Sequence, residues 1–214
     1  MSYANDKLTL PHNELVIGMT GSGKTHYLTQ HIENIVKNNP SLKKVFIICP
    51  TIKHNRTFNE WGLGKSKIIC FIGCHQNSVN SELREIHGRC QTKEFLGSDK
   101  DFKTLVVLDD CASGQDVKGQ TSDLVEISMN GRHVGMGIIV LTQQLTSIAK
   151  AYRDQTTRIV SFYNCSKKDS KLLFDDHMGD VSKKEAEKIQ LELKNGNYKR
   201  LEITKVPKHK WEIK

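Results

Sequence analysis

Eight consecutive residues constrain this chain more than any others: Gly18-Met19-Thr20-Gly21-Ser22-Gly23-Lys24-Thr25. They complete a Gly-x-x-x-x-Gly-Lys-Thr pattern, and the flanks suit it. Leu15-Val16-Ile17 is a short apolar run of strand type, and after the loop Leu28, Ile32, Ile35 and Val36 fall close to helical spacing. Three glycines let the backbone curl until successive N–H groups face one cavity, and a helix starting near Lys24 adds the positive end of its dipole. Such a loop cradles phosphates. The expected nucleotide-binding residues are Gly18, Thr20, Gly21, Ser22, Gly23, Lys24, Thr25 and His26. Lys24 would reach β- and γ-phosphate oxygens of ATP, and the Thr25 hydroxyl would ligate Mg²⁺.

A chain of 214 residues suits one α/β domain with a sizeable core. Near-continuous apolar runs at 44–49, 67–72, 104–108, 137–142 and 158–163 resemble strands of a mostly parallel sheet with helices on both faces. Helical patterns span 81–87, 123–130, 166–178 and 182–194, and 198–204 is expected as a closing strand. The organisation expected is a single domain, 1–214. Its core covers about 14–176, further helices and the closing strand about 177–214, and residues 1–13 form a polar lead-in.

The run Thr104-Leu105-Val106-Val107-Leu108 ends in Asp109-Asp110. On a strand neighbouring the phosphate-loop strand, Asp109 would stand beside the Mg²⁺ and Asp110 could hold or deprotonate the attacking water. The run 137–142 ends instead in the amides Gln143-Gln144. There, Gln143 could bond the γ-phosphate or lytic water and report its loss.

A net charge of +8 and a pI near 9.1 favour contact with a polyanion, and much of the excess lies late, in Lys183-Lys184, Lys199-Arg200 and residues 205–214. The six cysteines are scattered and read as reduced, buried thiols. The alternative is a zinc site from Cys70, Cys74, His75, His87 and Cys90, which their spacing tolerates. No apolar run approaches the ~20 residues of a membrane span and no secretory leader is visible, so a cytosol-like location is expected.

The phosphate loop, the Asp109-Asp110 strand end, and Gly131-Arg132 leading into Ile138-Ile139-Val140-Leu141-Thr142-Gln143 together resemble the FtsK–HerA superfamily of P-loop DNA-pumping ATPases, with a RecA/ASCE-like fold. Residues 157–162 and 166–170 continue the likeness. Asp-Asp in place of Asp-Glu, and Cys49-Pro50-Thr51 with Asn55, point to the branch of genome-packaging ATPases of poxviruses and other large DNA viruses.

The resemblance implies an ATP hydrolase that translocates double-stranded DNA as a homo-oligomeric ring of five or six subunits and docks on a capsid or membrane-vertex protein. It implies a location in the host cytoplasm, viral factory or virion. It also implies that Lys24, Asp110 and Gln143 are catalytic, that Thr25 and Asp109 hold the metal, and that Arg132 acts in trans on a neighbour's ATP. Arg153 and Arg158 compete for that role, and Lys118 is a candidate pore residue. The alternatives are a nucleotide-gated assembly switch with little turnover, or a related helicase or conjugation-type pump.

Overall fold

The computed structural model describes residues 12–75, 78–91, 103–111, 117–119, 122–164, 166–205 and 208–214. Of the polar lead-in expected at 1–13, residues 1–11 lie outside them, whereas His12 is buried and Asn13 already opens the first strand. At the centre runs β1 (Asn13–Ile17), buried along its whole length. The strands β5 (Met136–Thr142) and β6 (Arg158–Phe162) flank it, and both are parallel to it. Beyond β5 come β4 (Thr104–Leu108), β2 (Lys44–Ile48) and β3 (Ile69–Ile72), also parallel. Beyond β6 the sheet turns antiparallel through β7 (Arg200–Thr204) and β8 (Lys210–Ile213). The full order is β3-β2-β4-β5-β1-β6-β7-β8.

Strand side chains alternate between two cores. Leu15, Ile17, Val106 and Leu108 point to one; Val16, Leu105 and Val107 point to the other. The first is covered by α3 (Val79–Cys90), α4 (Asp123–Asn130), α5 (Lys150–Gln155), α6 (Lys167–His177) and α7 (Lys183–Asn195), through residues such as Leu83, Leu124, Tyr152, Phe174 and Leu193. The second is covered by α1 (Lys24–Asn38), through Tyr27, Leu28, Ile32 and Ile35, and by the short α2 (Arg56–Glu60) through Phe58. Both faces are therefore dry, which is why the parallel strands read as unbroken apolar runs. Among the described residues no helix is long and apolar enough to cross a membrane.

Two sequence expectations change. The strand ending in Asp109 does not adjoin the phosphate-loop strand, because β5 lies between them. Strand order depends on which apolar faces meet, and a run of valines and leucines carries no record of that. The basic C-terminal stretch also contains an eighth strand, β8, in which Trp211 pairs with Ile203 and Ile213 with Leu201. Its Lys and Glu side chains suit an exposed sheet edge, where charge discourages further pairing.

Candidate functional site

All six parallel strands end on one rim, and the sequence-derived residues assemble there. The loop after β1 is anchored by the Gly18 amide, which donates to the Thr142 carbonyl at 3.2 Å. Two turns need backbone that only glycine adopts freely: Gly21 at φ 77° and Gly23 at φ 93°. Gly23 caps α1, and with no acidic residue in its first turn the helix dipole is left unopposed there. Lys24 curls back over the loop. Its Nζ donates to the carbonyls of Gly18 and Met19, both at 2.8 Å. Burial pushes the Lys24 ammonium below its ordinary pKa, while the charges of Asp109 and Asp110 pull it upward. Both aspartates thus lie within electrostatic reach of the phosphate loop although β5 stands between their strands.

The two acids face different surroundings. Asp109 is 3% exposed, and its Oδ2 has no hydrogen-bond partner. Burial, then the neighbouring Asp110 charge, raise its pKa to about 7, against the stabilising pull of Lys24 and of the Asp110 backbone N–H. Asp110 is exposed and adopts φ 57°, the left-handed region unusual for a non-glycine residue. That turn swings its carboxylate toward Thr51, whose Oγ1 donates to Oδ2 at a long 3.5 Å. Backbone strain of this kind recurs at functional sites.

Gln143 lies one residue past β5, on the strand adjoining the phosphate loop. Its Oε1 accepts a 3.1 Å hydrogen bond from Thr20 Oγ1, so the amide is already seated on the loop. Asn164, just beyond β6, donates to the Gln143 carbonyl at 3.3 Å. Thr25 is half-buried in the first turn of α1, and His26 is exposed and bonded to Gln30 at 3.1 Å.

Arg132 stands elsewhere. It is exposed in the tight turn that precedes β5, at the opposite end of that strand from Gln143. Seven residues of strand at about 3.3 Å each separate the two by roughly 20 Å. Arg132 therefore does not reach the phosphate loop of its own chain. Among the described residues it forms no ion pair with a carboxylate; its Nε lies 3.4 Å from His133. The competing arginines are structural. Arg153 is buried and donates to the carbonyls of Leu145 and Ile148, and Arg158 pairs with the buried Glu202 at 2.8 Å. Neither guanidinium is available to another subunit.

The zinc alternative also fails among the described residues. Cys70, Cys74, His75, His87 and Cys90 do not converge; Cys90 Sγ instead approaches Thr104 Oγ1 at 3.4 Å. The ligand-type group that does form is His12, Glu14 and His31, buried at the other end of β1. There, His31 Nε2 contacts Glu14 Oε2 at 2.9 Å and the Tyr27 hydroxyl donates to Oε1 at 3.1 Å. Lys118 is exposed, but most of the 113–120 loop around it lies outside the described residues.

Sequence reasoning missed one wall of the site. A cleft runs from Gly23 and Lys24 along α1 to the turn before β7, where Asn197, Tyr198 and Lys199 line it. The turn signal at 195–197 was visible in the sequence; its return to the phosphate loop was not.

The fold and this rim define a P-loop NTPase in which one strand separates the phosphate-loop strand from the acid-bearing strand. Comparison with known proteins narrows the class. Residues 2–204 match the family described as poxvirus A32 protein, and the chain belongs to that family. The poxvirus-type branch expected from the sequence is thereby borne out. No curated protein matches the chain.

Among solved structures, the DNA-packaging ATPase B204 from Sulfolobus turreted icosahedral virus is 16% identical, with 94% of this chain and 96% of that one aligned at a TM-score of 0.68. The genome-packaging NTPase B204 of Sulfolobus turreted icosahedral virus 2, solved with ATP-γ-S, is 15% identical over 94% and 95% at 0.66. The cytoplasmic domain of the type VII secretion ATPase EccC from Thermomonospora curvata is 15% identical over 94% of this chain and 23% of that one at 0.62. These likenesses share the fold.

Proposed function

We propose that this protein is a Mg²⁺-dependent ATP hydrolase that drives double-stranded DNA into a viral capsid. It would work as a homo-oligomeric ring of five or six subunits docked on a capsid or vertex protein. The observation that carries the reading is the meeting of Lys24, Thr20, Gln143 and the Asp109-Asp110 pair on one rim of one sheet. Family membership and the packaging ATPases among the structural relatives support the biological setting.

The donor set fits a hard divalent cation. Asp109 is a buried carboxylate with an unpartnered oxygen, its pKa raised to about 7 by burial and by the Asp110 charge, and a bound cation would offset both. Thr25 and Asp109 would hold Mg²⁺, which when bound offsets the charge developing on the phosphates. Lys24 would exchange its two loop carbonyls for phosphate oxygens and bring its charge with it. Asp110, exposed on its left-handed turn, is free to orient a water and take its proton. Gln143, already bonded to Thr20 on the loop, would bond the γ-phosphate or that water, so loss of the γ-phosphate would be felt along β5.

Arg132 lies far from its own nucleotide, exposed at the other end of β5, which supports a role across a subunit boundary. An arginine supplied in trans is typically worth 10³–10⁵ in rate. Exposed Lys and Arg would grip DNA phosphates without reading sequence.

Turnover measured against protein concentration, with and without duplex DNA, tests the reading. The ATPase rate per subunit should rise with concentration and rise again with DNA, and Lys24→Ala should abolish both. Turnover that is absent at every concentration and indifferent to DNA would leave a nucleotide-gated switch.

A further inference from the structure

The turn before β7 presses directly on the phosphate loop. A Cβ built on Gly23 would lie 2.9 Å from Tyr198 Cδ1, so the aromatic ring occupies the space that glycine leaves open. Tyr198 is nonetheless 70% exposed, and its backbone sits at φ 59°. A tyrosine in the left-handed region costs roughly 1–2 kcal/mol, and one whose ring is mostly in water gains little from packing in return. Such an outlier needs another reason. The cleft it walls begins at the phosphate loop and continues past Gln30 of α1 to Asn197, Lys199 and Arg200. It leaves the phosphate loop on the side of β6 and β7, away from the two aspartates.

We propose that Tyr198 is the base-stacking residue of the nucleotide site, and that the cleft reads the flat face of the base rather than its edge. This rests on the nucleotide-binding reading above and adds where the nucleoside lies. An exposed aromatic ring anchored against the phosphate loop is a stacking platform, and stacking is tolerant of base identity because every base has a π-face. Strong edge discrimination needs buried polar groups that the wrong base would leave unpaired. The polar side chains here are of another kind: Asn197 and Lys199 are exposed, with Lys199 on Glu192 at 2.9 Å, Gln30 is bonded to His26, and Arg200 and Lys214 are paired with Glu202 at 2.7 and 3.0 Å. Among the described residues, the buried side-chain atoms without a partner lie outside this cleft.

Calorimetric titration of the full chain with ATP, GTP and inorganic triphosphate tests this in the wild type, Tyr198→Ala and Tyr198→Phe. Tyr198→Ala should weaken ATP and GTP alike by about tenfold or more. Triphosphate affinity should stay within about twofold of the wild type, and Tyr198→Phe should restore the nucleotide affinities. Unchanged ATP affinity in Tyr198→Ala would overturn the proposal. So would a parallel loss for triphosphate, which would mean that the ring only props the loop. A loss for ATP alone would overturn face reading. A wild-type protein that binds none of the three would instead remove the nucleotide reading itself, and Lys24→Ala, expected to lose all three, is the control.

Discussion

Asp109 is costly where it stands. With its pKa raised from an ordinary 3.8 to about 7, the folded protein binds a proton more tightly than the unfolded chain across that interval. Stability of the ligand-free protein therefore falls as pH rises from about 4 to 7, and the full cost, up to about 4 kcal/mol, is present above pH 7. Asp109→Asn should raise the melting temperature by several degrees at pH 8 and by much less at pH 5, while abolishing turnover; thermal melts at the two pH values check the first part.

Gln143 makes a different prediction. Because Thr20 already holds its amide against the loop, Gln143→Ala should lower kcat by 10-fold or more and leave ATP affinity nearly intact, read by single-turnover assay beside equilibrium binding. These residues were legible in the sequence because each lies directly after an apolar run whose strand character is local. The direction in which Asp110 turns, and its contact with Thr51, were not, since both depend on a left-handed backbone and on a strand far away in the chain.

At the scale of elements, the phosphate loop and α1 behave as one unit buttressed from two sides. Leu28 and Ile32 are fully buried beneath the helix, so Leu28→Ala should cost roughly 2–5 kcal/mol in urea unfolding. On the upper side the Tyr198 turn closes against Gly23. Gly23→Ala would combine a disfavoured left-handed φ with a carbon 2.9 Å from the tyrosine ring. It should destabilise by about 1–3 kcal/mol and weaken ATP binding, seen together as a lower melting temperature and a smaller shift on adding ATP.

The other end of β1 is held by Glu14, which is completely buried. Burial works to raise its pKa, but the charges of His31 and Arg158 and the hydrogen bonds from both histidines outweigh it and keep the carboxylate well below its usual range. The glycines announced the loop because no other residue serves there. Glu14 gave no such signal: its partners His12, Tyr27 and His31 become neighbours only when α1 lies back across the sheet.

For the whole molecule, the distance between Arg132 and its own phosphate loop makes ring assembly testable by mixing. Arg132→Ala and Lys24→Ala chains should each be inactive alone, yet a mixture should recover part of the ATPase rate, because some interfaces then pair an intact loop with an intact arginine. No recovery would return Arg132 to the ordinary surface.

The sequence by itself determined the phosphate loop, the acidic and amide strand ends, and the alternation of apolar strands and amphipathic helices, because each is written in contiguous residues whose backbone or hydrophobic demands are local. Only the tertiary structure decided that β5 stands between the loop and the aspartates, that Arg153 and Arg158 are tied up internally, and that Tyr198 returns to wall the site. Those outcomes follow from how the two dry faces of the sheet are filled and how the chain reverses at β7, and such long-range packing has no local signature.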